Sequence, residues 1–161
     1  MENKALHPRT EILLFLAARA QLVEQVIKPA LAEGKVVLCD RYADSTLAYQ
    51  GYGHGLDLPA LRSMLQFATD GLKPDLTILL DLPVEVGLSR KKKEDEWNRL
   101  DAYEVKFHER VREGYHILAG EEPARWKTID ASQPREVVQE NLRAVVLLSL
   151  QNQSLIADSS N

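Results

Sequence analysis

The chain has 161 residues, of which 45% are hydrophobic and 27% are charged, and its formal net charge is −4. This length and apolar content suit one compact domain with its own core, and the acidic balance argues against a general affinity for nucleic acid. The single cysteine, Cys39, excludes a disulfide framework and a cysteine-based zinc site. The sequence has no long apolar span and no signal sequence, so we expect a reducing cytoplasmic setting and no membrane partner.

The first expected element is a helix. Pro8 suits the first turn of a helix. Apolar residues then recur at helical spacing: Ile12, Leu16, Ala20, Val23, Ile27 and Leu31. Pro29 is expected to bend the last turns, and Gly34 is expected to end the helix.

Three short apolar runs then predict buried strands, and each is followed by an aspartate. They cover Val36–Cys39, Leu76–Leu80 and Trp126–Ile129, with Asp40, Asp81 and Asp130 close behind. Cys39 is expected to pack as a small hydrophobic residue. Helical patterns separate the strands, so the order predicts an α/β fold with a parallel sheet.

The connecting segments carry their own signals. A short helix is expected to about Gln50, and Gly51, Gly53 and Gly55 are interpreted as a mobile turn. Asp57 is expected to cap a helix that runs to about Thr69. Further helices are predicted from Pro83, from Leu100 to about Leu118 and from Gln133 to about Leu150. We interpret residues 1–150 as one domain and residues 151–161 as a polar, frayed tail.

Asp40 and Arg41 are the strongest candidates for chemistry. Ligands of open α/β sheets bind beyond the carboxyl ends of the strands, and an arginine there can present its planar fork to a phosphate. The alternative for Arg41 is a structural salt bridge. For Asp81 and Asp130, capping of the following segment is the better interpretation.

Other residues support a small phosphorylated ligand. Phe15 and Arg19 are four apart and share a helix face, while Tyr49 and Gln50 offer an aromatic wall and an amide. The basic run "SRKKK" with Arg99 could close over a polyphosphate, although a solvated helix face is the better interpretation for Lys91 and Lys93. The four histidines receive no role, and the helix around "AYEVKFHERVREGYHIL" is interpreted as packing. The residues alone therefore indicate a nucleotide or sugar-phosphate site, with the substrate left open.

Several longer segments resemble the thymidylate kinase family, which transfers the γ-phosphate of ATP to dTMP. They are "TEILLFLAARAQLVEQVIKPAL", "DRYADSTLAYQG", "KPDLTILLDLPVEVGLSR", "NRLDAYEVKFHERVREGY" and "TIDASQP". They follow the family's order and approximate spacing across residues 10–134. The resemblance implies a P-loop nucleoside-monophosphate-kinase-like fold, a three-layer parallel sheet of which the first strands are missing here.

The resemblance also implies roles for individual residues. Phe15 would stack on thymine, Gln50 would hydrogen-bond it, and Arg19 and Arg41 would hold the dTMP phosphate. Tyr49 would disfavour a 2′-hydroxyl. The remaining assignments are Ser45 and Thr46 as pocket lining, Asp40 near the Mg²⁺–phosphate centre, Arg90, Lys92 and Arg99 in a lid over ATP at about residues 90–100, and Ala131, Ser132 and Gln133 in a loop beside adenine.

The chain also departs from the family pattern. No phosphate-binding loop of the type Gly-x-x-Gly-x-Gly-Lys-Ser/Thr is present in the 161 residues, and Asn98 stands where an aspartate is usual. The resemblance places the missing first strand between the strands that end at Asp40 and Asp81. We therefore interpret the chain as an N-terminally shortened kinase and expect it to have little activity alone.

Two further interpretations stay open. One is a kinase for another deoxynucleoside or nucleotide. The other is a non-catalytic remnant that binds dTMP or only dimerises. The resemblance implies a homodimer that pairs through helices including the one matching residues 10–33.

Overall fold

A computed structural model of the chain describes residues 7–91 and 99–158, and it describes side chains for residues 7–90 and 104–152. The helical elements are α1 (Pro8–Leu22), the π-helix π1 (Val23–Ile27), α2 (Lys28–Ala32), α3 (Ala43–Thr46), the π-helix π2 (Leu47–Gly53), α4 (Leu58–Ala68), α5 (Val84–Lys91), α6 (Arg99–Glu121) and α7 (Arg135–Asp158). The strands are β1 (Thr77–Asp81) and β2 (Trp126–Asp130).

These elements form two compact units. The first contains residues 7–73 and 107–115, and the second contains residues 74–91, 99–106 and 116–158. Helix α6 therefore contributes residues to both. The prediction of one functional domain over residues 1–150 stays a prediction.

The first helix of the first unit follows the sequence pattern closely. Pro8 occupies its first turn, and Ile12 and Leu16 are buried. Before Pro29 the backbone hydrogen bonds change from a span of four residues to a span of five in π1, where the Lys28 N–H donates to the Val23 carbonyl. Gly34, at φ +72°, ends the helical segment because a left-handed backbone suits glycine.

The predicted strand at Val36–Cys39 is wrong. Residues 35–39 have no regular secondary structure, the Leu38 side chain is 97% exposed, and Cys39 is exposed rather than packed. A strand requires a hydrogen-bonded neighbour, and the sheet within the described ranges contains β1 and β2 alone. Four apolar residues in a row therefore do not form a strand here.

The glycine-rich turn is also different from the prediction. Gly51 and Gly53 are buried inside π2, and a Cβ at Gly53 would lie 2.7 Å from the Phe107 ring. Gly53 thus permits close packing, whereas Gly55 at φ +73° forms the turn that follows. The predicted cap of α4 is confirmed, because the Asp57 carboxylate accepts a hydrogen bond from the Ala60 N–H at 3.1 Å.

The second unit contains the predicted parallel sheet. Strand β1 pairs with β2 in parallel, with Thr77 opposite Trp126 and Asp81 opposite Asp130. The two aspartates consequently lie at the same edge of the sheet. Helices α6 and α7 run past their predicted ends, and residues 151–158 continue α7 where a frayed tail was expected. None of the helices in the described ranges combines the length and apolar content that a bilayer span needs.

Candidate acceptor-nucleotide site

Arg41 and Tyr49 form the centre of the candidate site in the first unit. Arg41 follows Asp40 in a bend and has φ +59°, a left-handed conformation that is uncommon for any residue other than glycine. Its guanidinium carbon lies 4.3 Å from the centroid of the Tyr49 ring, which is a cation–π geometry. Strained backbone of this kind often occurs at functional sites.

Arg19 is the most informative side chain of the cluster. It lies on α1, donates from Nη2 to the Thr46 hydroxyl at 3.4 Å, and its guanidinium is 5.0 Å from the Tyr42 ring centroid. Its Nε and Nη1 atoms are buried and have no hydrogen-bond partner among the residues that the structure describes. Burial lowers the pKa of Arg19. A buried donor group without an acceptor is costly, so this position favours a ligand that supplies acceptor oxygens.

Three of the predicted pocket residues are buried polar groups on α3 and π2. They are Ser45, Thr46 and Gln50. The Ser45 and Tyr115 hydroxyls are hydrogen-bonded at 2.8 Å. The structure therefore places Ser45, Thr46 and Gln50, which the sequence grouped as pocket residues, together in the first unit.

A set of aromatic residues around Tyr49 was missed by the sequence interpretation. The Tyr49 ring meets the rings of Phe107, His108 and Tyr115 edge-to-face, with centroid distances of 6.1, 6.3 and 6.4 Å. The helical spacing of Phe107, Val111 and Tyr115 was visible in the sequence as one face of a helix. It did not identify which partner that face contacts.

Phe15 and Asp40 are both exposed. Phe15 lies one turn before Arg19, and its side chain is 47% exposed. Asp40 is exposed in the bend before Arg41. No group of three or more potential metal-ligating side chains is found among the residues that the structure describes.

A second cluster of predicted residues lies in the second unit. Arg90 on α5 donates from Nη1 to the Ala131 carbonyl at 3.0 Å. The Asp130 carboxylate accepts hydrogen bonds from the Ser132 hydroxyl, the Ser132 N–H and the Gln133 amide. These hydrogen bonds, the Ser132 hydroxyl above all, lower the pKa of Asp130 to about 2. The predicted lid arginine and the predicted adenine loop are thus in contact.

The other residues predicted for the lid have no described side chains. Lys92 and Asn98 lie outside the described residues, and Arg99 begins α6 without a described side chain. Asp81, opposite Asp130, has a neighbour in the His116 Nε2 atom, 3.2 Å from its Oδ1. Capping of the following segment by Asp81 stays a prediction.

Comparison with known proteins identifies a family. The family model described as "Thymidylate kinase" matches residues 1–142. The thymidylate kinase of Roseiflexus castenholzii is 48% identical over 159 residues, covering 91% of this chain and 69% of the relative. That of Thermomicrobium roseum is 54% identical over 147 residues, covering 91% and 70%, and that of Desulfovibrio desulfuricans is 55% identical over 145 residues, covering 86% and 67%.

Proposed function

This chain belongs to the thymidylate kinase family, and on that premise we propose that it is a nucleoside monophosphate kinase acting on dTMP, with ATP as phosphate donor and dTDP as product. The family has the P-loop nucleoside-monophosphate-kinase fold, and the described α/β elements with a small parallel sheet agree with it. Phosphoryl transfer depends mainly on positioning and on neutralising charge. The arrangement of arginines in the first unit suits that task.

The buried, unpartnered donors of Arg19 carry the proposal. Within residues 7–91 and 99–158, two of its N–H-bearing atoms lack an acceptor, and a guanidinium has no acceptor of its own and cannot lose its charge to relieve the cost. A nucleotide monophosphate supplies anionic oxygens that match this need. Arg19 and Arg41 are therefore the proposed ligands of the dTMP phosphate.

The neighbouring residues are assigned to the nucleoside part. Phe15 stacks on thymine, Gln50 hydrogen-bonds it, and Tyr49 stands against the deoxyribose and disfavours a 2′-hydroxyl. Ser45 and Thr46 line the pocket. Their burial next to Arg19 and Tyr115 supports this assignment, because buried polar groups hold fixed positions only when they are hydrogen-bonded.

The second unit is assigned to ATP. Arg90, Lys92 and Arg99 form the lid, and Ala131, Ser132 and Gln133 form the adenine loop. The bond between Arg90 and Ala131 supports the grouping. Thymidylate kinases use Mg²⁺, which neutralises phosphate charge when bound, and Mg²⁺ typically takes one or two protein carboxylates while substrate phosphates and water supply the rest. Asp40 fits that limited role, acting through water.

A homodimer in the cytoplasm is part of the proposal. Helices α1 and α4 form an apolar groove of about 470 Å³, lined by residues that include Leu13, Ala17, Met64 and Phe67. Phe67 is 89% exposed in the single chain. A continuous exposed apolar surface of this kind typically marks a protein interface, and a second copy of the chain is the proposed partner.

Calorimetric titration of dTMP into the wild-type chain and into Arg19→Gln tests the function. Loss of a charge-assisted bond to phosphate should weaken dTMP binding by about 10- to 100-fold. Thymidine, which lacks the phosphate, should discriminate little between the two proteins. Arg143→Gln is the matched control because Arg143 is an exposed arginine on α7 of the second unit.

The control variant should bind dTMP as the wild type does. Equal dTMP affinity of Arg19→Gln and wild type would remove Arg19 from the site. Tighter binding of dGMP or dUMP than of dTMP by the wild type would point instead to another nucleotide kinase.

A further inference from the structure

We propose that Tyr115 is a positioning residue that sets sugar selectivity in the acceptor site, because it holds Ser45 through its hydroxyl and Tyr49 through its ring. The inference rests on the proposed function, and it adds a residue of α6 that neither the sequence motifs nor the family comparison assigns. Tyr115 acts through Ser45 and Tyr49 rather than through contact with the nucleotide.

Tyr115 has two separate contacts with the candidate pocket. Its hydroxyl is 2.8 Å from the buried Ser45 hydroxyl on α3. Its ring meets the Tyr49 ring edge-to-face at 6.4 Å and an interplanar angle of 80°, a geometry that is favourable for aromatic pairs. One side chain therefore connects the start of the pocket segment to the residue proposed to face the deoxyribose.

The position of the Tyr49 ring matters because the ring also contacts Arg41. The Arg41 guanidinium sits 4.3 Å from the Tyr49 ring centroid, while the rings of Phe107, His108 and Tyr115 meet the Tyr49 ring in T-shaped contacts. These contacts hold the Tyr49 ring in the position where it meets Arg41. Displacing Tyr49 would thus disturb both the sugar contact and the proposed phosphate ligand.

The rest of the α6 segment is anchored to the same element. Arg110 donates from Nε and Nη2 to the Gly53 carbonyl, at 3.0 and 2.9 Å, and so fixes the last residue of π2. Gly114 allows close approach, since a Cβ there would lie 2.6 Å from the Tyr52 ring. Tyr115 is consequently presented to Tyr49 by a helix that is tied to π2 at two neighbouring points.

The two functions of Tyr115 can be separated by substitution. Tyr115→Phe removes the hydroxyl and keeps the ring, whereas Tyr115→Leu removes both. Dissociation constants for dTMP and for ribothymidine 5′-monophosphate, together with the melting temperature, would be measured for each protein. Tyr52→Phe is the matched control because it removes another hydroxyl from the same unit without altering the Ser45 contact.

We expect Tyr115→Phe to weaken dTMP binding by about 3- to 10-fold, the value of one net hydrogen bond. The ratio of the dissociation constant for ribothymidine 5′-monophosphate to that for dTMP, which measures sugar selectivity, should stay unchanged in this variant. Tyr115→Leu should reduce that ratio by about 3- to 10-fold as well, because the edge-to-face support of Tyr49 is lost. Tyr52→Phe should match the wild type in affinity and in ratio.

The outcomes distinguish the inference from the function on which it rests. If the wild type binds dTMP and both Tyr115 variants keep its dTMP affinity and its ratio of dissociation constants, the positioning role alone is overturned. A lower melting temperature with an unchanged ratio in Tyr115→Leu would also overturn it, since that pattern is purely structural. Failure of the wild type to bind dTMP would overturn the proposed function and the inference together.

Discussion

At the scale of single residues, hydrogen bonding to charged groups separates the two candidate clusters. Arg19 has buried donors that lack acceptors in the described part of the chain, so its environment favours an incoming anion. Asp130 is the opposite case, because its carboxylate already accepts several bonds from its own loop. The first arrangement is suited to ligand binding, and the second is suited to holding the loop of residues 131–133 in one shape.

The Asp130 carboxyl provides a pH prediction. Its pKa is lowered to about 2 by the Ser132 hydroxyl first, then by Gln133 and the Ser132 N–H. A carboxyl with a folded-state pKa below its unfolded value stabilises the fold above the unfolded pKa of 3.8, and that contribution is lost as the pH falls through about 2. Ser132→Ala should raise the Asp130 pKa and reduce this pH-dependent contribution.

Carbon-detected NMR titration of the Asp130 carboxyl measures this pKa directly. The midpoint should lie near 2 in the wild type and move toward 3.8 in Ser132→Ala. Ser89→Ala is the control, because the Ser89 hydroxyl donates to the Val86 carbonyl instead. A wild-type midpoint near 3.8, or no change in Ser132→Ala, would contradict the assignment of the loop hydrogen bonds.

At the scale of elements, α6 packs differently along its length, and two of its glycines make this testable. A Cβ at Gly114 would lie 2.6 Å from the Tyr52 ring, while no atom of the described residues lies within 4 Å of one at Gly120. Gly114→Ala should therefore destabilise the fold by about 1–3 kcal/mol through overpacking. Gly120→Ala should stabilise it by up to about 1 kcal/mol through helix propensity.

Urea denaturation of the two glycine variants and the wild type gives the comparison. Opposite signs of the change in unfolding free energy are the expected result. Equal effects of the two substitutions would show that helix propensity, rather than the approach of α6 to π2, decides the cost at Gly114.

Local signals explain which elements the sequence could predict. Pro8, Gly34 and Asp57 act within one helical turn, and the helix boundaries that they indicate are confirmed. The strand predicted at Val36–Cys39 was wrong because a strand depends on a partner that is distant in sequence. The π-helices were missed because apolar spacing reports a buried face and does not report which carbonyl each N–H selects.

The candidate site shows the same division. Arg41, Ser45, Thr46, Tyr49 and Gln50 lie within one short segment, so a motif could identify them together. Tyr115 and Arg110 contact Ser45 and Gly53 across 70 and 57 positions of the chain. A helix that the sequence indicated as packing therefore contains residues that contact the candidate site, and only the fold reveals those contacts.

At the scale of the whole molecule, the exposed apolar groove of α1 and α4 predicts self-association. Phe67→Asp places a charge where a second copy would bury an aromatic ring, so it should weaken the dimer by at least about 10-fold. Leu148→Asp is the control, because Leu148 is a 60% exposed apolar residue on α7. Sedimentation equilibrium measures the dissociation constants, and a wild-type chain that stays monomeric at high concentration would remove the dimer proposal.

The central claim is that this thymidylate kinase family member binds dTMP in the first unit. A thermal melt of the 161-residue chain, alone, with dTMP and with dGMP, tests it most directly, because a ligand stabilises only a state that binds it. We expect a cooperative transition whose midpoint is raised by dTMP and is not raised by dGMP. A transition midpoint that dTMP does not change, or that dGMP raises as much as dTMP does, would contradict the account.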